Sequence, residues 1–278
     1  MRVLIAGCGD VGNVLAMALL KDGHTVFGLK RDTSSLPTGV RAVSADLLDP
    51  ATLTKLPEAV DWLVFMPTPA GRTQAAYESI FIQGWKNLWA GLKKHPVRSL
   101  VVSSTAVFGE ASGGIVDEET EPSPTGFNGK VLLEMEQLAG RCTDKLVVVR
   151  ISGIYGPGRE RLIRLAATQG LEVQQVPPSF TNRIHRDDAA AALKHLLEID
   201  HPHALYAVTD DQPAPKYEVV SWLARVQGCA APRGIRDESA GRGKCVSNQR
   251  LRNSGFKLTY PDYKAGYTAV LEQRQQKG

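Results

Sequence analysis

The stretch that decides the fold opens the chain: Arg2-Val3-Leu4-Ile5-Ala6-Gly7-Cys8-Gly9-Asp10-Val11-Gly12. Its first five residues are nearly all apolar, which is typical of a strand buried on both faces of a parallel sheet. The next six match the pattern G-x-G-x-x-G, and the residues from Asp10 to Leu20 predict a helix. A glycine-rich turn between a buried strand and a helix predicts a site for the pyrophosphate of a dinucleotide.

Each glycine of this turn has a physical role in such a site. Gly7 permits the tight turn, Gly9 lets a pyrophosphate approach the backbone, and Gly12 lets the helix pack closely on the strand. Asp10 and Val11 begin the helix, whose free N–H groups and positive dipole end attract phosphate. The alternative is a strand–helix turn that needs glycine for its geometry alone.

The rest of the first half continues the alternation of strands and helices. Strands are predicted at His24–Leu29, Val40–Ala45, Asp61–Met66, from Ser99 and at Lys145–Ile151, and helices at Glu78–Lys94 and Lys130–Ala139. Such alternation requires parallel strands joined by crossover helices. The sequence therefore predicts an α/β fold, a Rossmann-like doubly wound parallel sheet with a smaller C-terminal substrate-binding portion.

The pattern also suggests domain limits. Residues 1–155 are predicted to form the dinucleotide-binding domain, and residues 181–210 to return to it. Residues 156–180 and 211–278 are predicted to form the smaller, loop-rich portion that binds substrate, because prolines and glycines interrupt the alternation there.

Composition excludes several classes of protein. The 278 residues are 43% hydrophobic and 22% charged, with a net charge of +4 that is spread along the chain, so we expect no nucleic-acid partner. No apolar stretch reaches the length of a membrane helix, and we expect no membrane association. The four cysteines lie far apart, which favours reduced thiols in a cytoplasmic protein and no metal site: Cys8, Cys142, Cys229 and Cys245.

The end of the second predicted strand bears on the choice of cofactor. It reads Lys30-Arg31-Asp32, so a basic pair precedes the acid. An arginine here accommodates the 2′-phosphate of NADP, whereas an acid binds the ribose hydroxyls of NAD. The order favours NADP, with NAD as the alternative. A further alternative is that Lys30 and Arg31 are solvated loop charges that do not contact the cofactor.

Three further residues are expected at the same cofactor site. Asp46, with the backbone of Leu47, could contact the adenine, or Asp46 could cap the next turn. Met66 ends the fourth strand and is placed beside them.

Four later segments, together with the glycine motif, are similar to one family. They are Val102-Ser103-Ser104-Thr105-Ala106-Val107-Phe108-Gly109, Arg150-Ile151-Ser152-Gly153-Ile154-Tyr155-Gly156-Pro157-Gly158, Arg183-Ile184-His185-Arg186-Asp187-Asp188-Ala189 and Tyr206-Ala207-Val208-Thr209-Asp210. In this order they resemble the extended short-chain dehydrogenase/reductases, the NAD(P)-dependent epimerase/dehydratase family.

The resemblance implies a catalytic serine, tyrosine and lysine. The serine falls on Ser104 and the lysine on Lys130, which is followed by Glu134 as in the family's K-x-x-x-E. The tyrosine belongs four residues before the lysine, where this chain has Gly126. The proton donor is therefore absent, as in the family's atypical members, and Thr125, Tyr155 or a bound water could replace it.

The resemblance further implies a function and partners. It indicates an NADP-dependent oxidoreductase or an epimerase/dehydratase acting on a small polar molecule, such as a nucleotide sugar, with Tyr155 and Arg183 at the substrate. The missing tyrosine leaves open a protein that binds the dinucleotide without turnover, as a redox sensor or partner-binding protein. Trp85 and Trp89, four residues apart, form either a buried stripe or part of a homodimer interface.

Overall fold

A computed structural model describes residues 1–276 of the chain. The strands are β1 (Arg2–Ala6), β2 (Thr25–Lys30), β3 (Arg41–Ser44), β4 (Trp62–Phe65), β5 (Arg98–Ser104), β6 (Ile115–Val116), β7 (Leu146–Ile151), β8 (Gly153–Tyr155), β9 (Glu172–Val176), β10 (Phe180–Thr181), β11 (Arg183–His185), β12 (Leu205–Val208), β13 (Ala214–Pro215), β14 (Arg233–Arg236) and β15 (Cys245–Val246). The helices are α1 (Asp10–Lys21), α2 (Gln74–Tyr77), α3 (Gly84–Gly91), α4 (Phe127–Cys142), α5 (Arg161–Ala166), α6 (Arg186–Glu198), α7 (Lys216–Val226), α8 (Gln249–Asn253) and α9 (Tyr263–Gln275). A π-helical segment, Glu78–Gln83, joins α2 to α3.

Seven strands form the central sheet, in the order β12-β7-β5-β4-β1-β2-β3. The pairs β1–β2, β1–β4, β2–β3 and β4–β5 are parallel. The chain leaves β1 towards β2 on one side and later returns to β4 on the other. The connections after β1 and β4 therefore diverge, and ligands of doubly wound sheets bind at such a point.

The chain divides into two compact units. The first contains residues 1–107, 124–150 and 190–206, and the second contains residues 108–123, 151–189 and 207–278. Relative to the boundaries expected from the sequence, residues 108–123, 151–155, 181–189 and 207–210 fall in the second unit.

The first unit has the core that an α/β sheet requires. The strands β1 and β4 are buried along almost their whole length, as their apolar sequences predict. The α1 helix packs with Val11, Leu15 and Leu19 facing inwards, positions that recur with the helical period. Trp85 is fully buried, stacks on Trp89, and packs edge-on against a phenylalanine of β4. The tryptophan stripe is thus part of the core at Trp85.

The second unit has a separate core of aliphatic and aromatic side chains. Its members come from β8, α5, β9, α7 and α9, and they include Tyr155, Ile163, Val219, Leu223 and Tyr267. Within the described residues its strands pair two by two, and α7 packs against both α5 and β9.

The predicted class of fold is confirmed: the central sheet is doubly wound, and its paired strands are parallel where their register is defined. The predicted strands agree with β1, β2, β3, β4, β5 and β7 to within one or two residues. The predicted helix Glu78–Lys94 begins earlier, at Gln74, because Thr73 caps it by accepting a hydrogen bond from Ala76 N–H. No helix within residues 1–276 has both the length and the apolar character needed to cross a membrane.

Candidate active site

The glycine-rich turn has the geometry expected of a phosphate-binding turn. Gly7 has a left-handed φ of 91°, and an added Cβ would lie 2.6 Å from the backbone of Pro67. An added Cβ at Gly12 would lie 3.4 Å from Gly7 O, so this glycine allows close helix–strand packing. At Gly9 the nearest protein atom would be 3.9 Å away. The fold itself therefore does not require glycine at position 9, whereas a pyrophosphate close to the backbone would.

A cavity of about 330 Å³ opens at the carboxyl ends of β1 to β4. Its lining consists of Gly7, Gly9, Leu29, Lys30, Arg31, Ala45, Asp46, Leu47, Leu48, Pro67, Thr68, Ala70, Ala76, Ser79 and Ile80. These residues lie at or just after the ends of β1, β2, β3 and β4, or in the helical region 74–83. The cavity thus joins the glycine turn to the residues expected to bind the adenosine, and the residues present fit a dinucleotide.

The three residues that bear on cofactor choice differ in their partners. The Lys30 ammonium donates to Ser35 Oγ at 2.7 Å. The Asp32 carboxylate accepts from Ser34 N–H at 2.9 Å, which lowers its pKa, and it does not line the cavity. Arg31 lines the cavity, and its side chain is exposed. Lys30 and Arg31 therefore both line the cavity, whereas Asp32 does not.

The structure places the other predicted cofactor residues as follows. Asp46 and Leu47 line the cavity, and Asp46 Oδ1 also accepts from Leu48 N–H at 2.9 Å, so Asp46 caps a local turn as well. Asp10, Val11, Gly12 and Met66 are not among the residues that line the cavity, although Asp10 directly follows Gly9 and Met66 directly precedes Pro67.

Cys8 lies inside the glycine turn and is not available as a nucleophile. The thiol is fully buried, and burial raises its pKa to about 11. It is therefore a packed, protonated thiol at neutral pH.

Two adjacent serines end β5, and they have different surroundings. Ser103 is buried, and its Oγ donates to Glu136 Oε1 at 2.5 Å. Ser104 is half-buried, and its Oγ accepts from Ala106 N–H at 3.2 Å. That bond uses a lone pair of Ser104 Oγ and leaves its O–H available to donate.

The buried acid of α4 is Glu136. Its carboxylate accepts two hydrogen bonds from Arg150, from Nε at 3.1 Å and from Nη2 at 2.7 Å. Both side chains are less than a tenth exposed. This ion pair joins α4 to β7, and the hydrogen bond from Ser103 joins α4 to β5. Sequence reasoning missed Glu136 because Glu134, two residues earlier, is the acid at the K-x-x-x-E spacing from Lys130.

Lys130 and Gly126 lie at the start of α4. Gly126 directly precedes the helix with φ −87°, and Lys130 N–H donates to Gly126 O at 3.2 Å. The Lys130 side chain is exposed. The α4 face that approaches Ala106 is at Gly129, where an added Cβ would lie 2.6 Å from Ala106 O. The roles of Ser104 and Lys130 remain predictions.

Tyr155 and Arg183, the expected substrate residues, both line one cavity in the second unit. Tyr155 stacks on Tyr267 with ring centroids 4.1 Å apart. Burial strongly raises the pKa of Tyr155 and raises that of Tyr267 to about 12. Both hydroxyls are therefore neutral at physiological pH.

Comparison with known proteins assigns the family. Residues 3–206 match the model of the NAD dependent epimerase/dehydratase family. The chain belongs to this family. It is an oxidoreductase-type enzyme of the class that binds a nicotinamide dinucleotide.

Individual relatives cover nearly the whole chain. A Streptomyces 3-diazoavenalumate denitrifying reductase is 30% identical over 302 aligned positions, with 96% of this chain and 99% of the relative covered. A solved structure from Methylobacillus flagellatus, classed with the NAD-dependent epimerases/dehydratases, is 39% identical, with a TM-score of 0.84 and coverage of 99% and 98%. A Bacillus cereus UDP-glucuronic acid 4-epimerase in complex with UDP-glucuronic acid and NAD is 19% identical, with a TM-score of 0.82 and full coverage of both chains. At that identity the last comparison concerns the fold alone.

Proposed function

We propose that this enzyme uses NADP(H), in preference to NAD(H), to transfer a hydride to or from a small polar substrate. The observation that carries the cofactor preference is the contrast between Arg31 and Asp32. Arg31 lines the cofactor cavity with an exposed guanidinium, whereas the Asp32 carboxylate is bound to the backbone of its own turn. A guanidinium recognises a phosphate through charge-assisted hydrogen bonds.

The relatives leave two classes of substrate open. One is named as a reductase of 3-diazoavenalumate, and others were solved with UDP-glucose or UDP-glucuronic acid. 3-Diazoavenalumate, UDP-glucose and UDP-glucuronic acid are therefore test substrates for this enzyme. Nucleotide sugars form the second candidate class.

Within this proposal the chain's own residues bind the cofactor, orient the substrate and polarise its reacting bond. The bound nicotinamide ring supplies or accepts the hydride. Ser104 donates its O–H to the substrate oxygen at the reacting carbon. This O–H is available because the hydrogen bond from Ala106 N–H occupies a lone pair of Ser104 Oγ and not its proton. Lys130 is proposed to bind the nicotinamide ribose.

The proton donor differs from the family's tyrosine. Gly126 has no side chain and is exposed, so the position is open to solvent. Tyr155 is a poor acid, because burial strongly raises its pKa. Thr125, exposed beside Gly126, has no acidic group of useful pKa. We infer that a bound water transfers the proton.

The cofactor proposal is tested by substituting Arg31. Loss of a hydrogen bond to a charged group costs roughly 1.5–3 kcal/mol, or about 10- to 150-fold in affinity. We expect Arg31→Ala to weaken NADPH binding by that factor and to leave NADH binding nearly unchanged, as measured by calorimetric titration.

Asp32→Asn is the matched control, because asparagine can keep the bond from Ser34 N–H. It should change the affinity for neither cofactor. Equal losses of NADPH and NADH affinity in Arg31→Ala, or a selective loss of NADH affinity in Asp32→Asn, would contradict the proposed NADP preference.

A further inference from the structure

The second unit contains a cavity of about 240 Å³ whose lining is rich in cations. Four of its lining side chains are basic: Arg159, Arg161, Arg183 and Lys216. Among the described residues that line it, none is an aspartate or glutamate. A concave surface with this charge attracts anions.

Arg183 is the buried member of this set. Its side chain is 3% exposed, and its guanidinium carbon lies 5.5 Å from the centre of the Tyr263 ring. Nη2 donates to Thr181 Oγ1, whereas the buried Nη1 has no hydrogen-bond partner in the part of the chain that the structure describes. Since buried charged groups are normally paired and fully hydrogen-bonded, Arg183 lacks the acceptor that its environment requires.

The buried carboxyl group of Asp210 does not supply that acceptor. Asp210 is 1% exposed, and the backbone N–H of Asp210 donates to Arg183 O at 2.8 Å. The two side chains form no ion pair, and burial raises the pKa of Asp210 to about 8 although Arg183 lowers it. Asp210 is therefore largely protonated at neutral pH, and the charge of Arg183 is not neutralised by it.

The rest of the lining limits what the anion can be. Ile154, Leu162 and Tyr267 add an apolar wall. The volume of about 240 Å³ lies below the range of about 300–1,000 Å³ typical of ligand pockets. One buried charge beside an apolar wall in a small cavity suits a small organic monoanion better than a nucleoside diphosphate sugar.

We propose that this cavity binds the carboxylate of a small organic acid, with Arg183 as its counter-ion. Arg183 Nη1 donates to a carboxylate oxygen, and Ile154 and Leu162 contact the apolar part of the acid. The identification of this acid with the substrate of the enzyme rests on the proposed function. The binding site itself does not.

Cinnamate, a small carboxylate with an apolar body, is the probe, and cinnamyl alcohol is its uncharged counterpart. We expect calorimetric titration to detect binding of cinnamate and not of the alcohol. Arg183→Met should weaken cinnamate binding roughly 10- to 150-fold, the effect of losing one hydrogen bond to a charged group. Arg164→Met is the matched control: Arg164 is exposed on α5, does not line the cavity, and should leave the affinity unchanged.

Several outcomes would overturn the proposal. Equal cinnamate affinity in the wild type and Arg183→Met would do so. Binding of inorganic phosphate or UDP-glucose that depends on Arg183, with no binding of cinnamate, would also reject a carboxylate site. If Arg183→Met does not fold, as judged by its thermal transition, Ile154→Glu replaces it, because a carboxylate on the cavity wall should repel the acid. An unchanged cinnamate affinity in that variant rejects the site.

Separate titration with NADPH distinguishes the two proposals. Cinnamate binding that depends on Arg183, without any NADPH binding, would leave the carboxylate site standing and remove the proposed function. NADPH binding without cinnamate binding would remove the carboxylate site alone.

Discussion

Ser103 and Ser104 are consecutive residues of one strand with different surroundings. Successive side chains of a strand point to opposite faces, so one serine is directed into the core and the other away from it. The Ser103 hydroxyl donates a hydrogen bond to the buried Glu136, whereas the Ser104 hydroxyl accepts from Ala106 N–H and remains available to donate. The pair allows the contribution of packing to be separated from the contribution to chemistry.

We expect Ser104→Ala to lower kcat by about 10²–10³-fold, the usual effect of removing one donor to a developing oxyanion. Its thermal midpoint should stay close to that of the wild type, because Ser104 bonds only locally. Product formation from 3-diazoavenalumate with NADPH, or from UDP-glucose with NADP⁺, whichever is turned over, measures kcat.

Ser103→Ala is the control for that experiment. It removes a buried hydrogen bond and should lower the thermal midpoint while changing kcat less than Ser104→Ala does. A larger kcat loss in Ser103→Ala than in Ser104→Ala would show that Ser104 is not the polarising residue.

Helix α4 is held by one buried ion pair. Glu136 accepts from both Ser103 and Arg150, so the carboxylate fixes this helix to two strands of the sheet at once. Removal of one partner of a buried pair leaves the other charge uncompensated. That loss destabilises a protein much more than loss of a surface pair does.

We therefore expect Glu136→Gln to lower the free energy of unfolding by about 3–5 kcal/mol, the range for a broken buried pair. Glu134→Gln is the matched control, because Glu134 is exposed on the same helix. It should change the free energy of unfolding by less than about 0.5 kcal/mol. Urea denaturation measures both, and similar losses in the two variants would show that the ion pair does not stabilise α4.

The same helix shows what sequence could and could not predict. Its existence and approximate position followed from apolar residues at helical spacing, and the observed helix extends the prediction by three residues at each end. Its catalytic register did not follow, because Glu134 alone lies at the K-x-x-x-E spacing from Lys130, whereas the acid that is buried is Glu136. Counting back from the buried Glu136 puts Leu132 and Asn128 at the lysine and tyrosine positions, whereas counting from Glu134 gives Lys130 and Gly126. Burial separates the two acids, and local sequence does not encode it.

At the scale of the whole molecule, the parts that short sequence motifs encode could be predicted. The nearly all-apolar β1 and the glycine turn defined the sheet and the cofactor cavity, since both depend on short stretches of backbone. The second unit was predictable only as a loop-rich region. Its core joins residues far apart in sequence, such as Tyr155 and Tyr267, and no short pattern records such a pairing.

The stability of the whole chain should depend on pH through Asp210. The pKa of this buried carboxyl is about 8 in the folded protein, where burial raises it, Arg183 lowers it, and Asp211 and Asp262 raise it further. In the unfolded chain it is about 4. Between these values the folded state binds more protons, so this contribution to stability is present at low pH and is lost as pH rises towards 8.

We expect the wild type to lose about 1.4 kcal/mol of unfolding free energy per pH unit relative to Asp210→Asn between pH 5 and 7. Urea denaturation across this range measures the difference. Asp211→Asn, which removes a carboxylate bonded to Asn248, should retain the pH dependence. Parallel pH profiles for the wild type and Asp210→Asn would contradict the raised pKa.

The π-helical segment between α2 and α3 has a consequence for how this enzyme could diversify. A π-helical turn accommodates an additional residue within a continuous helix. Before and within that segment, Ala76, Ser79 and Ile80 line the cofactor cavity, whereas Trp85 and Leu88 after it belong to the core. The additional residue lets the cavity-lining part of the helix and the core-packing part have separate helical registers. Substitutions in the first half can therefore accumulate under selection for a new ligand without repacking the tryptophan core, which makes this helix a place where an evolving lineage can change specificity at little cost in stability.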